Sequence, residues 1–149
     1  MDLKEYKSIL ADDASEEDIE RALRLAIKQL PAERGCLLLN LDQTEVFLYV
    51  GDESLRDKYP FSREVVCHVL QDGLGLVDFS ARGGGELPDS ISIKALGLRS
   101  ALCVPILHLG STAGFLYFDT RAKMDAFEPE HVDFARDLAQ EIYERVKKR

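Results

Sequence analysis

Residues 99–119 read RSALCVPILHLGSTAGFLYFD, and between Ser100 and Phe118 there is no Lys, Arg, Asp or Glu. A run of that length is just long enough to suggest a membrane span. Near its middle, however, it is interrupted by Pro105, His108, Gly110, Ser111, Thr112 and Gly114, residues that mark a turn and not the centre of an apolar helix. Arg99 to Leu107 and Thr112 to Asp119 are therefore expected to form a hairpin of two core strands. Both strands are apolar at nearly every position, so the sheet they belong to has to be covered on both faces.

The same pattern recurs toward the N-terminus. Cys36-Leu37-Leu38-Leu39 and Val46-Phe47-Leu48-Tyr49-Val50 flank Asp42-Gln43-Thr44, a second hairpin of two largely buried strands. Before it, Ser15 with Asp18 three residues on forms a capping box. Ile19, Ala22, Leu23, Ala26, Ile27 and Leu30 then make one helical apolar stripe that ends at Pro31. Residues 1–14 are a short amphipathic lead-in carrying Leu3, Tyr6, Ile9 and Leu10, and residues 15–149 form the domain proper. Between the hairpins, Ser62 caps a helix over Arg63 to Asp72, Leu76 to Phe79 form a short strand, and Gly83-Gly84-Gly85 lie in a loop. A short helix follows through Ile91, Ile93 and Leu96. The last helix starts at Pro129, where a missing N–H costs no hydrogen bond, and its Val132, Ala135, Ala139, Ile142 and Val146 step by three and four. That seam predicts dimerisation through the terminal helices.

This order predicts an α+β sandwich. A central, mainly antiparallel sheet of five to six strands carries the terminal helices on one face, and the irregular residues 52–97 roof a pocket on the other.

Bulk properties narrow the function. A chain of 149 residues with 46% apolar content fits one domain and buries roughly 68–70% of its unfolded surface, so it needs no metal or disulfide staple. Twenty-seven Asp and Glu against nineteen Lys and Arg give a net charge of -8, which repels a phosphate backbone, so no direct nucleic-acid partner is expected. The first residues lack a basic segment followed by an apolar run, and a cytoplasmic location without a membrane partner is expected. Cys36, Cys67 and Cys103 form no C-x-x-C pair and are read as reduced, buried thiols. His68, His108 and His131 show no ligand spacing, so no metal is expected, and no nucleophile has a recognisable base.

Several runs together resemble a GAF domain over about residues 15–146. They are Phe61-Ser62-Arg63-Glu64-Val65-Val66, Val69-Leu70-Gln71-Asp72-Gly73, Ser92 to Ile106, Gly114-Phe115-Leu116-Tyr117-Phe118-Asp119, and Phe127 ahead of the last helix. The variety resembled is the one found in bacterial signalling proteins, upstream of transcription activators, cyclases, phosphatases and histidine kinases. The resemblance implies a sensory module with a small-molecule ligand in a pocket on one sheet face and terminal helices that often dimerise and relay to an effector domain or partner. It leaves the ligand and any cofactor unknown, since one fold serves many ligands. The Asn-Lys...Phe...Asp-Glu signature of the cyclic-nucleotide subgroup is absent. Cys67-His68 lies one helix earlier than the Cys-His pair of the bilin subgroup. Two other readings stay open: a ligand-free structural GAF domain serving dimerisation, and the thiol-dependent methionine sulfoxide reductases of the same family.

For the pocket, Phe115 and Tyr117 share one strand face with Asp119, and that face is assigned to the pocket side with Leu102. Tyr117 is alternatively an amphipathic core residue. Arg99, at the mouth of a core strand, is expected either to hold an anionic ligand or to pair with Asp78, and Asp78 either orients a ligand or caps local backbone.

Overall fold

The computed structural model describes residues 2–12, 14–42, 44–72, 79–80 and 97–148. Helices α1 (Lys4–Ile9) and α2 (Glu16–Gln29) precede a hairpin of β1 (Arg34–Leu41) and β2 (Thr44–Val50). Helix α3 (Arg63–Asp72) and the two-residue β3 (Phe79–Ser80) lead to a second hairpin, β4 (Ser100–His108) and β5 (Ser111–Thr120), and α4 (Pro129–Val146) closes the chain. The strands form one antiparallel sheet in the order β2-β1-β5-β4-β3. Among the described residues this is four full strands and a two-residue fifth, where five to six strands were expected. Asp78, Gly83 to Gly85 and the expected helix through Ile91, Ile93 and Leu96 lie outside the described residues.

The uncharged run at 100–118 is a hairpin. Its two-residue turn has positive φ at both Leu109 (52°) and Gly110 (82°), the turn geometry that follows the twist of paired strands. At Gly114 a Cβ would stand 1.9 Å from the Leu38 carbonyl oxygen of the neighbouring strand, so only glycine lets β5 close on β1 there. Among the described residues no helix is long and apolar enough to cross a membrane.

Strand alternation divides the core in two. Leu37, Leu39, Leu102, Val104, Leu116 and Phe118 face α2 and α4, while Cys36, Ala101, Cys103, Phe115 and Tyr117 face α3 through Val65, Val66 and Val69. The capping box at the start of α2 is present: Ser15 Oγ accepts from the Asp18 N–H, and the Ser15 N–H donates to the Asp18 carboxylate.

The seam on α4 does not face outward. Ala135, Ala139, Ile142 and Val146 are buried within the chain and Val132 packs against the same cluster, so the dimer expected through that seam has no apolar stripe left to use. The three-four stepping arose because a helix laid on a sheet needs the same stripe as a helix laid on a helix. Ile142→Glu would therefore damage the fold itself. The lead-in adds to the closure: Tyr6 and Leu10 are wholly buried, with the Tyr6 ring edge-on to Phe134 at 5.2 Å.

Candidate functional site

On the face toward α3 the strands present three rows of residues in register. Arg34, Asp119 and Ala101 form the first; Tyr49, Cys36, Tyr117 and Cys103 the second; Phe47, Leu38, Phe115 and Pro105 the third. The site grows from the first row. Arg34 opens β1 directly opposite Asp119 near the end of β5, and the two side chains form a two-point ion pair, Nε to Oδ1 at 2.7 Å and Nη2 to Oδ2 at 2.9 Å. Both residues are buried, at 4% and 1% exposure. Arg34 Nη1 also donates to the Tyr59 carbonyl. The Tyr117 hydroxyl donates to Asp119 Oδ2 and accepts from the Ser62 N–H at the head of α3. A hydrogen-bonded chain thus runs from Arg34 through Asp119 and Tyr117 to α3.

Burial opposes the charge on Arg34, but the hydrogen bonds and field of Asp119 outweigh it and hold the guanidinium proton more tightly than usual. Burial lifts the Asp119 carboxyl above the usual carboxylate range, against the downward pull of Arg34 and of the Tyr117 hydroxyl. Burial, followed by the charge of Asp119, pushes the Tyr117 phenol well up. Such a pair is costly to break, because removing one partner leaves a buried charge alone.

Above the pair lies a cleft of about 210 Å³ lined by Glu33, Arg34, Asp52, Leu55, Leu98, Asp119 and Arg121. One water occupies about 30 Å³ of liquid, so the space suits a small molecule. Its walls are tied to structure on both sides. Glu33 accepts from the Thr120 hydroxyl and the Arg121 N–H, and Asp52 accepts from the N–H and hydroxyl of Ser54. Those bonds hold the Asp52 carboxyl below its ordinary range. Gly51 is required beneath the cleft, since a Cβ there would stand 2.5 Å from the Cβ of Arg34. Arg121, the carboxylates of Glu33 and Asp52 and two leucines give the cleft groups that can orient a small polar ligand, above a pair whose own guanidinium is already engaged.

The expected site residues are not gathered in one place. Tyr117 and Phe115 are on the predicted face but fully packed, with the Phe61 ring 4.9 Å from Phe115 and 6.1 Å from Tyr117. The space above them is filled by Phe61 and α3, so Tyr117 meets the site only through its hydroxyl. Leu102 lies on the opposite face, in the core beneath the long helices, because strand alternation puts it out of phase with Ala101 and Cys103. Arg99 is exposed just before β4, its N–H donating to the Thr120 carbonyl. Asp78 lies outside the described residues, so its pairing with Arg99 does too.

The sequence reading missed Arg34. The signal was present: a charge on each side of the sheet's apolar runs, Arg34 before Cys36 and Asp119 after Phe118, at positions that antiparallel pairing brings opposite one another. Cys36 and Cys103 are buried as expected, but Cys67 is exposed on α3, whose buried face is carried by Val65, Val66 and Val69. Cys36 and Cys103 both neighbour Tyr117, on β1 and β4 with β5 between them. Two strand spacings are roughly 9.5 Å, beyond the reach of a disulfide.

A family model described as GAF domain matches residues 16–145. No protein of curated function matches the sequence. Among solved structures, the free methionine-R-sulfoxide reductase from Neisseria meningitidis in complex with its substrate is similar at 18% identity and TM-score 0.74, over 98% of this chain and 86% of that one. The GAF domain of a putative sensor histidine kinase from Pseudomonas syringae pv. tomato aligns at 15% identity and TM-score 0.65, over 97% and 83%. The GAF domain/HD domain protein from Geobacter sulfurreducens aligns at 16% and 0.63, over 96% and 97%.

Proposed function

Because the chain belongs to the GAF domain family, we propose that it is a sensory or regulatory module that binds a small polar molecule in the cleft over Arg34 and Asp119 and relays its occupancy to an effector domain or partner. The observation that carries the reading is the buried Arg34–Asp119 pair at the floor of that cleft. A charged pair is a weak way to stabilise a fold, and apolar residues of the same volume are often as good; its presence beside an open space fits a polar recognition floor. The relay has a physical route. Glu33 joins the cleft to the segment between α2 and β1, and Tyr117 joins it to the head of α3. A ligand that repositions Glu33 acts on the segment after α2, and one that repositions Asp119 acts through Tyr117 on the head of α3.

Native mass spectrometry of the purified chain, followed by a thermal-shift screen of small polar metabolites, tests this. Arg121 is half exposed and outside the core, so Arg121→Glu should leave the free protein's melting temperature unchanged and weaken the stabilising compound by about tenfold or more, the scale of one lost charged contact. A compound whose effect ignores Arg121→Glu binds elsewhere. A ligand-free structural domain is the second reading, favoured by the filling of the Phe115 and Tyr117 face by Phe61. A bare mass spectrum together with an empty screen would decide for it.

A further inference from the structure

The cleft above the Arg34–Asp119 pair gathers charges from the ends of three neighbouring strands. Asp52 stands just past the end of β2, Glu33 just before β1 and Arg121 just past β5. The sheet runs β2-β1-β5, so these residues follow one another across the cleft in the order Asp52, Glu33, Arg121. Leu55 and Leu98 supply its apolar wall.

Each of these charged groups keeps atoms uncommitted. Asp52 receives the N–H and hydroxyl of Ser54 on Oδ1 alone, and Glu33 receives the Thr120 hydroxyl and the Arg121 N–H on Oε1 alone. Asp52 Oδ2 and Glu33 Oε2 accept no hydrogen bond among the described residues. Arg121 approaches Glu33 Oε1 through Nε at 4.0 Å, and its Nη groups donate to nothing among the described residues. Arg34 adds no further free charge, since its guanidinium is engaged by Asp119 and the Tyr59 carbonyl. A plain anion in this cleft meets both carboxylates, and a plain cation leaves Arg121 unanswered. A ligand carrying both signs satisfies all of them. Its charges must also be well separated. Neighbouring strands lie roughly 4.8 Å apart, so a positive end between Asp52 and Glu33 and a negative end at Arg121 stand about 5–9 Å from one another. The ammonium and carboxylate of an α-amino acid share one carbon and are too close to reach both ends.

On the reading of this cleft as the binding site, we propose that it takes an ω-amino acid, a dipolar ion with its ammonium on Glu33 Oε2 and Asp52 Oδ2 and its carboxylate on the Arg121 guanidinium. The methylene chain between the two ends lies along Leu55 and Leu98. An ammonium has donors enough for both carboxylate oxygens. A guanidinium meets a carboxylate with two parallel N–H bonds, a geometry that a hydroxyl or an amide cannot reproduce. The cleft, at about 210 Å³, has room for such a chain.

The test compares isomers on the full chain. 5-Aminopentanoate, whose charged ends stand about 6 Å apart when extended, and 2-aminopentanoate have the same atoms and differ in charge separation. Isothermal titration should give 5-aminopentanoate a Kd on the order of 0.1 mM and leave 2-aminopentanoate, pentylamine and pentanoate each at least about tenfold weaker. Asp52→Asn keeps an acceptor for Ser54. That variant and Arg121→Glu should each weaken 5-aminopentanoate by about tenfold or more, the scale of one charged contact. Equal affinity for the two isomers, or for pentanoate, overturns the proposal, as does an absence of 5-aminopentanoate binding at about 10 mM. Failure of the cleft as a site looks different. A screened compound that loses affinity in Arg121→Glu and keeps it in Asp52→Asn binds the cleft as an anion, which removes the ω-amino acid and leaves the site standing. A bare mass spectrum together with an empty screen removes both.

Discussion

The two faces of the sheet are built from the same strands and differ in how they end. Toward α2 and α4 the core is continuous from Tyr6 to Val146 and uncharged, with the hydroxyls of Ser100 and Thr120 buried at its edge. Toward α3 the cluster is smaller and gives way, one row from the strand ends, to a buried arginine and aspartate. Identical backbone pairing thus supports a face that only stabilises and a face where polar groups are held in place at some cost. The continuous face tolerates no charge. The interrupted face has to keep its charges paired.

The largest effect should come from breaking the pair. Asp119→Ala leaves Arg34 buried without a counter-charge and should destabilise the protein by about 3–5 kcal/mol, read from denaturant unfolding. Arg34→Met combined with Asp119→Leu should recover part of that loss, because it removes the orphaned charge while the buried Tyr117 hydroxyl still loses its acceptor. If the double variant is as unstable as Asp119→Ala, the pair carries packing that apolar residues cannot replace, and the contrast between the faces is smaller than described.

A second break addresses the middle row, where Cys36, Tyr117 and Cys103 stand side by side. Burial pushes the Cys36 thiol up to about 12 and the Cys103 thiol and Tyr117 phenol well above their ordinary values. A folded pKa above the unfolded one contributes stability that is whole below the unfolded pKa and is lost as pH rises through the folded one. The protein should therefore weaken from about pH 8.5 up to about pH 12, by about 1.4 kcal/mol per pH unit for each group ionised only in the unfolded chain. At pH 8 a thiol reagent should label the exposed Cys67 rapidly, and Cys36 and Cys103 only at the rate of opening. Labelling of Cys103 as fast as Cys67 would place this row near solvent.

How far these features were readable depends on the range of the interaction. The capping box at Ser15, the start of α4 at Pro129, the limits of α3 and both hairpins follow from neighbours along the chain, and each stands where the residues placed it. The inward turn of the α4 seam was not legible, since a stripe of that spacing is the same whether a sheet or a second helix lies opposite. Leu102 was misplaced because a strand apolar at every position gives no phase; phase came only from pairing with Phe118. The Arg34–Asp119 pair spans 85 residues, and Phe61, which fills the space over Phe115, reaches it from a segment without a period of its own. Sites made by register between distant strands are visible only once the register is known.

The smallest predicted effect belongs to the continuous face and sharpens the comparison from its side. Ser15 caps α2 through its hydroxyl and receives the reciprocal bond from Asp18, whose carboxyl those bonds hold below its ordinary range. Both groups are near solvent, so losing them creates no buried orphan. Ser15→Ala should cost about 1 kcal/mol, the usual loss of a cap. Asp18 has a lowered folded pKa, so its part is present above the unfolded value near 4 and fades as pH falls through the folded one. The Ser15→Ala deficit should accordingly shrink below about pH 4, where the carboxylate half of the box is already gone in wild type. Chemical denaturation at pH 7 and pH 3 measures it. A deficit that stays constant with pH would mean that the hydroxyl acts without its partner. A deficit approaching that of Asp119→Ala would mean that the uncharged face also depends on a polar lock at its edge.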